Sequence, residues 1–290
     1  MKISGFTIIR NAITLDYPIL ESINSILPLC DEMIVAVGQS DDATLALIKS
    51  IPSQKIKIVE STWDDTIRTG GRVLAIETNK AFSQISPDSD WAFYIQGDEV
   101  VHEKYLSVIK DNMVKYKNDP EVDGLLFNYL HFYGSYDYVG DSYEWYPHEI
   151  RVIKNSKDIF SYRDAQGFRK KPNKKLRVKP IDAFIYHFGW VRSPQGMQNK
   201  DLLMNKFWHD DQWINDHIKT KDAFQYSNIY RLQLFDGTYP SVMENRIKNL
   251  NWNFIYDISK KKYTVKNKIK MTVERLTGWR LGEYKNYKIV

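Results

Sequence analysis

The chain has 290 residues, of which 43% are hydrophobic, 27% charged and 14% aromatic, with a formal net charge of +5. Such a composition excludes a disordered chain and supports a real core. The length suits one large α/β domain with a C-terminal extension, or two small domains. A single cysteine, Cys30, excludes an intramolecular disulfide framework and a cysteine-built zinc site. In the apolar setting Ile26-Leu27-Pro28-Leu29-Cys30 it reads as buried filler, compatible with a reducing cytoplasm.

In chain order, residues 3–9 are rich in β-branched and apolar side chains and read as a first strand, ended by Arg10-Asn11. That run is too short for a signal peptide. Asp16-Tyr17-Pro18 opens a helix with Ile19, Leu20, Ile23, Ile26 and Leu27 on a 3.6-residue period. Met33 to Val37 is a continuous apolar run, the pattern of a strand buried on both faces of a parallel sheet. Gly38 to Asp42 is a polar loop whose Asp41 or Asp42 can cap a helix over 43–50. A strand over 55–60, a loop over 63–72 and a helix over 73–82 follow. Asp90 to Ile95 is a fourth strand, and it runs into Gln96-Gly97-Asp98-Glu99. A helix over 103–117 and a strand over 124–132 complete the series. Strands alternating with helices define a parallel α/β sheet, and ligands of such sheets bind beyond the carboxyl ends of the strands. Arg10-Asn11, Gly38 to Asp42 and Gln96 to Glu99 should therefore cluster.

After about residue 133 the pattern changes. Aromatic and charged residues dominate, as in Tyr143-Glu144-Trp145-Tyr146-Pro147-His148. Residues 149–154 alternate like a strand, 169–179 read as a basic loop, and 181–188 as a strand carrying His187. From Asp201 the chain reads as helical and polar, with a basic tail from Lys260 to Lys288. No window of about 18 uncharged apolar residues occurs, so no membrane-spanning helix is expected.

A hard cation such as Mg²⁺ or Mn²⁺ takes carboxylate oxygens together with substrate phosphates, so one or two protein carboxylates suffice. Asp98, at the end of a buried strand, is placed for that. Its ordinary alternative is to cap the helix near His102.

From Ile3 to about Glu103 the chain resembles the family 2 glycosyltransferases, which have the GT-A fold. The resemblance lies in Arg10-Asn11 after the first strand, in Ser40, Asp42 and Thr44 after the second, in Gly71 to Ala81 with Ala75 and Asn79, and in Gln96-Gly97-Asp98 where the family has Asp-x-Asp. It implies a mostly parallel central sheet flanked by helices. A transferase domain would span 1–200, divided into a nucleotide-sugar half (1–132) and an acceptor half (133–200). A mostly helical basic extension would span 201–290. The implied activity is glycosyl transfer from a UDP- or GDP-type sugar to a glycan or lipid-linked acceptor, inverting and dependent on Mn²⁺ or Mg²⁺. Asp98 would hold the metal, with His187 as a second ligand. Val37, Gly38 and Gln96 stand where the family has aspartates. Base contacts would thus pass to Gln39 or Asp41, and Gln96 would be a polar helper beside Gly97.

Arg10, Asn11, Trp63 and Arg72 are further candidates for the nucleotide, since a guanidinium forks onto phosphate; each Arg is equally readable as a surface charge. Glu149, beside Trp145 and Tyr146, is the first candidate for the carboxylate base that an inverting transferase needs, with Asp137 and Glu144 as rivals. A Glu149–Arg151 ion pair on one strand face is the competing reading. The basic loop 169–179 would fold over the diphosphate or stay solvated. The tail would either touch an anionic membrane peripherally or pack as a plain helix. A cytoplasmic location follows from this reading. Two alternatives stay open: a degenerate, carbohydrate-binding relative, and a nucleotidyltransferase, against which the glycine-free Ile9-Arg10-Asn11-Ala12 counts. No nucleic-acid recognition module is present, so no nucleic-acid partner is expected.

Overall fold

The computed structural model describes residues 1–218, 223–226, 229, 231–259, 265–277 and 280–290. The amino-terminal half runs β1 (Ile3–Ile9), α1 (Ile19–Ile26), β2 (Glu32–Gly38), α2 (Thr44–Lys49), β3 (Ile56–Ser61), α3 (Arg72–Ser83), β4 (Trp91–Tyr94), β5 (Glu99–Val101), α4 (Leu106–Tyr116) and β6 (Gly124–Tyr133). There follow β7 (Tyr138–Gly140), β8 (His148–Lys154), β9 (Ile159–Tyr162), β10 (Gly167–Lys170), β11 (Lys174–Trp190), α5 (Pro194–Asn205) and α6 (Asp211–His217). The chain closes with β12 (Leu232–Leu234), α7 (Glu244–Lys248), α8 (Val265–Thr277) and β13 (Tyr287–Ile289).

The fold is α/β, a mainly parallel central sheet with flanking helices. Its strand order is β3-β2-β1-β4-β8-β6-β11-β10-β9. Strands β3, β2, β1 and β4 are parallel neighbours, and β6 and β11 are parallel again. The antiparallel strand β8 joins the two groups. Alternation along each strand loads both faces. Met33, Val35 and Val37 of β2 belong to the same core cluster as Ile19, Ile23 and Ile26 of α1, and that cluster extends along the sheet to Ile109 and Met113 of α4 beneath β11. Ile34 and Ala36 face the other way, onto Val73, Ala81 and Phe82 of α3. This two-sided burial is why β1 and β2 are buried at every position and mostly apolar rather than alternating.

Two expectations change. Residues 169–179 form a hairpin of β10 and β11, because Leu176 and Val178 alternate inward between charged neighbours. Three of its cations are used locally. Arg177 and Lys170 pair with Asp123, and Arg169 donates to Asn286 at 2.6 Å. Nor is the stretch after residue 200 only helical: β12 pairs with β7, and β13 pairs with β11 inside the main sheet. Lys260 to Tyr263 of the basic tail lie outside the described residues. Among the described residues no helix is long and apolar enough to cross a membrane.

Candidate active site

A cavity of about 600 Å³ opens at the carboxyl ends of β1, β2, β3 and β4, as the topology requires. Arg10, Asn11, Asp41, Trp63, Asp65 and Gln96 to Asp98 form one side. Lys200, Met204 and Phe207, from α5 and the turn after it, form the other.

The loops after β1 and β2 are knitted together by side chains. Asn11 takes a left-handed backbone (φ 53°), which asparagine tolerates better than most residues. Its N–H donates to Ser40 Oγ at 3.0 Å, and the Asp41 N–H donates to Asn11 Oδ1 at 2.8 Å. The N–H groups of Ile13 and Thr14 both donate to Asp42 Oδ2. Asp42 is thereby a loop clamp, while Asn11 and Asp41 reach the cavity.

Arg10 is forked onto Asp65, with its guanidinium 5.8 Å from the centre of the Trp63 ring. Trp63 is 8% exposed, and its Nε1 has no hydrogen-bond partner among the described residues. The indole fills space that Gly38 leaves open: a Cβ on Gly38 would lie 2.4 Å from Trp63 Nε1. The absence of a side chain at position 38 and the presence of an aromatic wall are thus one feature.

In the acidic turn the two carboxylates have different tasks. Glu99 is fully buried and forms a two-pronged pair with Arg151, both bonds 2.7 Å, and neither side chain is exposed. Glu99 also accepts from the Tyr129 hydroxyl (2.8 Å) and the Gln96 N–H (3.1 Å). Ser22 of α1 donates to the Gln96 carbonyl at 2.7 Å. Glu99 therefore fixes the turn, and Asp98 beside it faces the cavity. Asp98 Oδ2 accepts from Lys200 Nζ at 3.1 Å, and Oδ1 lies 3.9 Å from His187 Nε2. Burial alone would raise the Asp98 pKa. The nearby Lys200, His187 and Arg192 outweigh it and hold the carboxyl well below its usual range. Burial, followed by the Arg192 charge, pulls Lys200 down to about 8 against the pull of Asp98. Gly189 permits the approach, since a Cβ there would lie 2.6 Å from the His187 ring and 3.1 Å from Asp98 Oδ2.

His187 lies next to a second imidazole. Its Nδ1 is 3.0 Å from His131 Nδ1, and His131 Nε2 is 2.8 Å from the Tyr146 carbonyl oxygen. Burial pushes His131 down to about 3, and it also lowers His187 against the opposing pull of Asp98 and Glu99. Beyond this pair lies a smaller cavity of about 260 Å³, lined by Tyr129, His131, Tyr143, Trp145, Tyr146, Asp141, Glu274 and Arg280.

The structure thus brings Arg10, Asn11, Asp41, Trp63, Gln96, Gly97 and Asp98 to one cavity and sets His187 against Asp98. It does not bring Gln39, Arg72 or Glu149 there. Gln39 and Arg72 are exposed, and neither is part of the wall. Glu149 is 3% exposed on β8 with Oε2 on the Ile150 N–H, and burial raises it to about 8, protonated at neutral pH. Its strand-face neighbour Arg151 is claimed by Glu99. Glu149 lines neither cavity. Sequence reasoning missed Lys200, Arg192 and His131. Lys200 is 102 residues from Asp98, and no local pattern marks it.

No protein-family profile matches the chain, and no curated protein matches it in sequence. Among solved structures it is similar to S. aureus TarS (residues 1–349) in complex with UDP, at 15% identity over 70% of this chain and 64% of that one, TM-score 0.43. It is also similar to glucosyl-3-phosphoglycerate synthase from Mycobacterium tuberculosis in complex with Mn²⁺, UDP and glucosyl-3-phosphoglycerate (19%, 46% and 45%, TM-score 0.30). A third is 4-diphosphocytidyl-2C-methyl-D-erythritol synthase from Anaerococcus prevotii (12%, 71% and 95%, TM-score 0.38). The chain spans less than two thirds of the length of the first two. At these scores none of them decides what this chain does.

Proposed function

We propose that the chain transfers a glycosyl group from a UDP- or GDP-type sugar to a glycan or lipid-linked acceptor, with inversion and with a divalent cation. The observation that carries this reading is the cavity itself. It sits at the carboxyl ends of parallel strands, with hydrogen-bonding and aromatic groups at one end and an ionised carboxylate with nearby cations at the other. Asn11 and Asp41 offer donors and acceptors for a base edge, with Trp63 as an apolar wall. Arg68, Lys200 and Lys206 line the same cavity and offer positive charge to a diphosphate.

The residues present fit Mn²⁺ or Mg²⁺. Adjacent donors about 2.1 Å from one octahedral ion stand about 3.0 Å apart, and Asp98 Oδ1 and His187 Nε2, 3.9 Å apart, would close by about 0.9 Å to share it. Diphosphate oxygens and water would complete the shell, since among the described residues no group of three ligating side chains occurs. Asp98 and His187 would hold the ion, which when bound would stabilise negative charge on the leaving diphosphate. The protein's own part is to orient the donor through the loops after β1 and β2, to keep Asp98 ionised, and to supply cationic neutralisation from Lys200. The smaller aromatic cavity, with Asp141, Glu274 and Arg280, supports a sugar acceptor, whose ring faces suit aromatic walls and whose hydroxyls suit carboxylates and a guanidinium.

Calorimetric titration of UDP and GDP, with and without Mn²⁺, tests the reading, together with hydrolysis of UDP- and GDP-sugars. Binding that strengthens with Mn²⁺, with slow donor hydrolysis, is expected. Binding without any turnover would favour the degenerate, carbohydrate-binding alternative, and no binding of either nucleotide would refute the transferase reading.

A further inference from the structure

The hydrogen bonds behind His187 restrict it to one tautomer. A backbone carbonyl only accepts, so the 2.8 Å contact between His131 Nε2 and Tyr146 O puts a hydrogen on His131 Nε2. His131 is 3% exposed, stacked on Trp145 (5.0 Å, 25°) and edge-on to Tyr146 (4.4 Å, 83°). Both ring nitrogens are already accounted for by Tyr146 and His187. A cationic ring there would be a buried charge with no counter-ion bonded to it, which is costly. The neutral ring then carries a bare Nδ1, and His187 Nδ1, 3.0 Å away, must donate to it. With that hydrogen committed to His131, Nε2 is the His187 nitrogen left to face Asp98, and when unprotonated it offers a lone pair. That lone pair lies 3.9 Å from Asp98 Oδ1, also an acceptor. Two acceptors so placed repel unless a cation joins them.

We propose that His131 is a positioning residue: it holds His187 in the tautomer with hydrogen on Nδ1 and so turns a bare Nε2 towards Asp98, making the pair a seat for a divalent cation. The inference rests on the metal site proposed above, but its core, the tautomer, concerns the protein alone. The ring orientation is fixed from behind by Tyr146, Trp145 and Tyr129. Outer-sphere partners that fix a ligating histidine in this way commonly affect metal affinity about 10- to 100-fold. The floor of the aromatic cavity and the metal end of the donor cavity are then linked through two side chains.

The tautomer can be read directly. Long-range proton–nitrogen correlation spectra of the ¹⁵N-labelled, metal-free full chain near pH 7.5, assigned by comparison with His187→Asn, should show His187 protonated on Nδ1 and bare on Nε2. A hydrogen on Nε2 in the wild type overturns the proposal without any variant. Mn²⁺ affinity, followed by electron paramagnetic resonance without nucleotide, gives the second reading. His131→Leu removes the acceptor and should weaken Mn²⁺ binding about 10- to 100-fold. His131→Asn keeps an acceptor oxygen near the Nδ1 position and should stay within a few-fold of wild type. Equal affinity in wild type and folded His131→Leu, an Asn variant as weak as Leu, or no Mn²⁺ binding by the wild type each overturn the proposal. If these results hold while UDP and GDP fail to bind, the transferase reading falls and the cation seat stands.

Discussion

Glu99 and Arg151 meet through two 2.7 Å hydrogen bonds across 52 residues of sequence, with neither side chain exposed. The pair joins the acidic turn to β8, and Arg151 also lies 5.4 Å from the ring centres of both Tyr94 and Tyr129. A buried pair of this kind is poor evidence of net stabilisation, because desolvation offsets much of the attraction. Breaking it leaves one charge alone in the core, typically at about 3–5 kcal/mol. Glu99→Gln should therefore lower the urea-unfolding free energy by roughly that amount. It should also weaken Mn²⁺ binding, since the turn that presents Asp98 loses its anchor. A loss below about 1 kcal/mol, with unchanged Mn²⁺ affinity, would show that Ser22 and the backbone hold the turn without Glu99.

Asp98 is read as the functional carboxylate of the turn, and among the described residues Lys200 is the one counter-ion bonded to it directly. The two substitutions should separate. Asp98→Asn should reduce donor hydrolysis at least about 100-fold, the scale seen when a preorganised charge-stabilising group is lost. Lys200→Met should strengthen Mn²⁺ binding in the absence of nucleotide, because a competing ammonium leaves Oδ2. The same variant should weaken UDP or GDP binding, because a cation leaves the diphosphate wall. Calorimetric titration of metal and nucleotide separately checks both signs. If Lys200→Met changes neither, the ammonium is structural.

The parallel half of the fold was readable because burial on both sheet faces writes continuous apolar runs, as in Met33 to Val37, and because helix periodicity is local. The ligand loops were readable through position: strand ends in a parallel sheet converge wherever the chain order dictates. What the sequence hid was long-range choice of partner. Arg151 looked available to Glu149 two residues away, yet it turns to Glu99. Glu149, left without it, is driven neutral. Arg169, Lys170 and Arg177 looked free for phosphate until Asn286 and Asp123 claimed them. Lys200 and His131 carry no local signal, since their meaning comes only from Asp98 and His187 beside them.

Gly38 and Trp63 should behave as one unit. A methyl group at position 38 would lie 2.4 Å from the indole nitrogen, so Gly38→Ala must displace the ring. Trp63 is the aromatic wall of the proposed base end and the platform for Arg10. Trp63→Ala and Gly38→Ala should both weaken nucleotide binding, the former by about 1–3 kcal/mol if a base stacks there. The double variant should cost less than the sum, because a displaced ring has little left to lose. Titration calorimetry on the four proteins gives the cycle. Strict additivity would mean that the two positions act separately.

Glu149 makes a prediction about pH. Its folded-state pKa is raised by burial to about 8, whereas the unfolded chain ionises near the ordinary 4.5. Between those values the folded state holds a proton that the unfolded state does not. Stability must then fall as pH rises through that window, at up to about 1.4 kcal/mol per pH unit for one proton. Above pH 8 both states are ionised and this contribution becomes constant. Glu149→Gln keeps the size and removes the titration. The stability of the variant relative to wild type should therefore climb from pH 5 to pH 8 and then level off. Urea unfolding at pH 5, 6.5, 8 and 9 measures that difference. A gap independent of pH would mean that Glu149 is ionised in the folded protein, and it would restore the carboxylate as a candidate base.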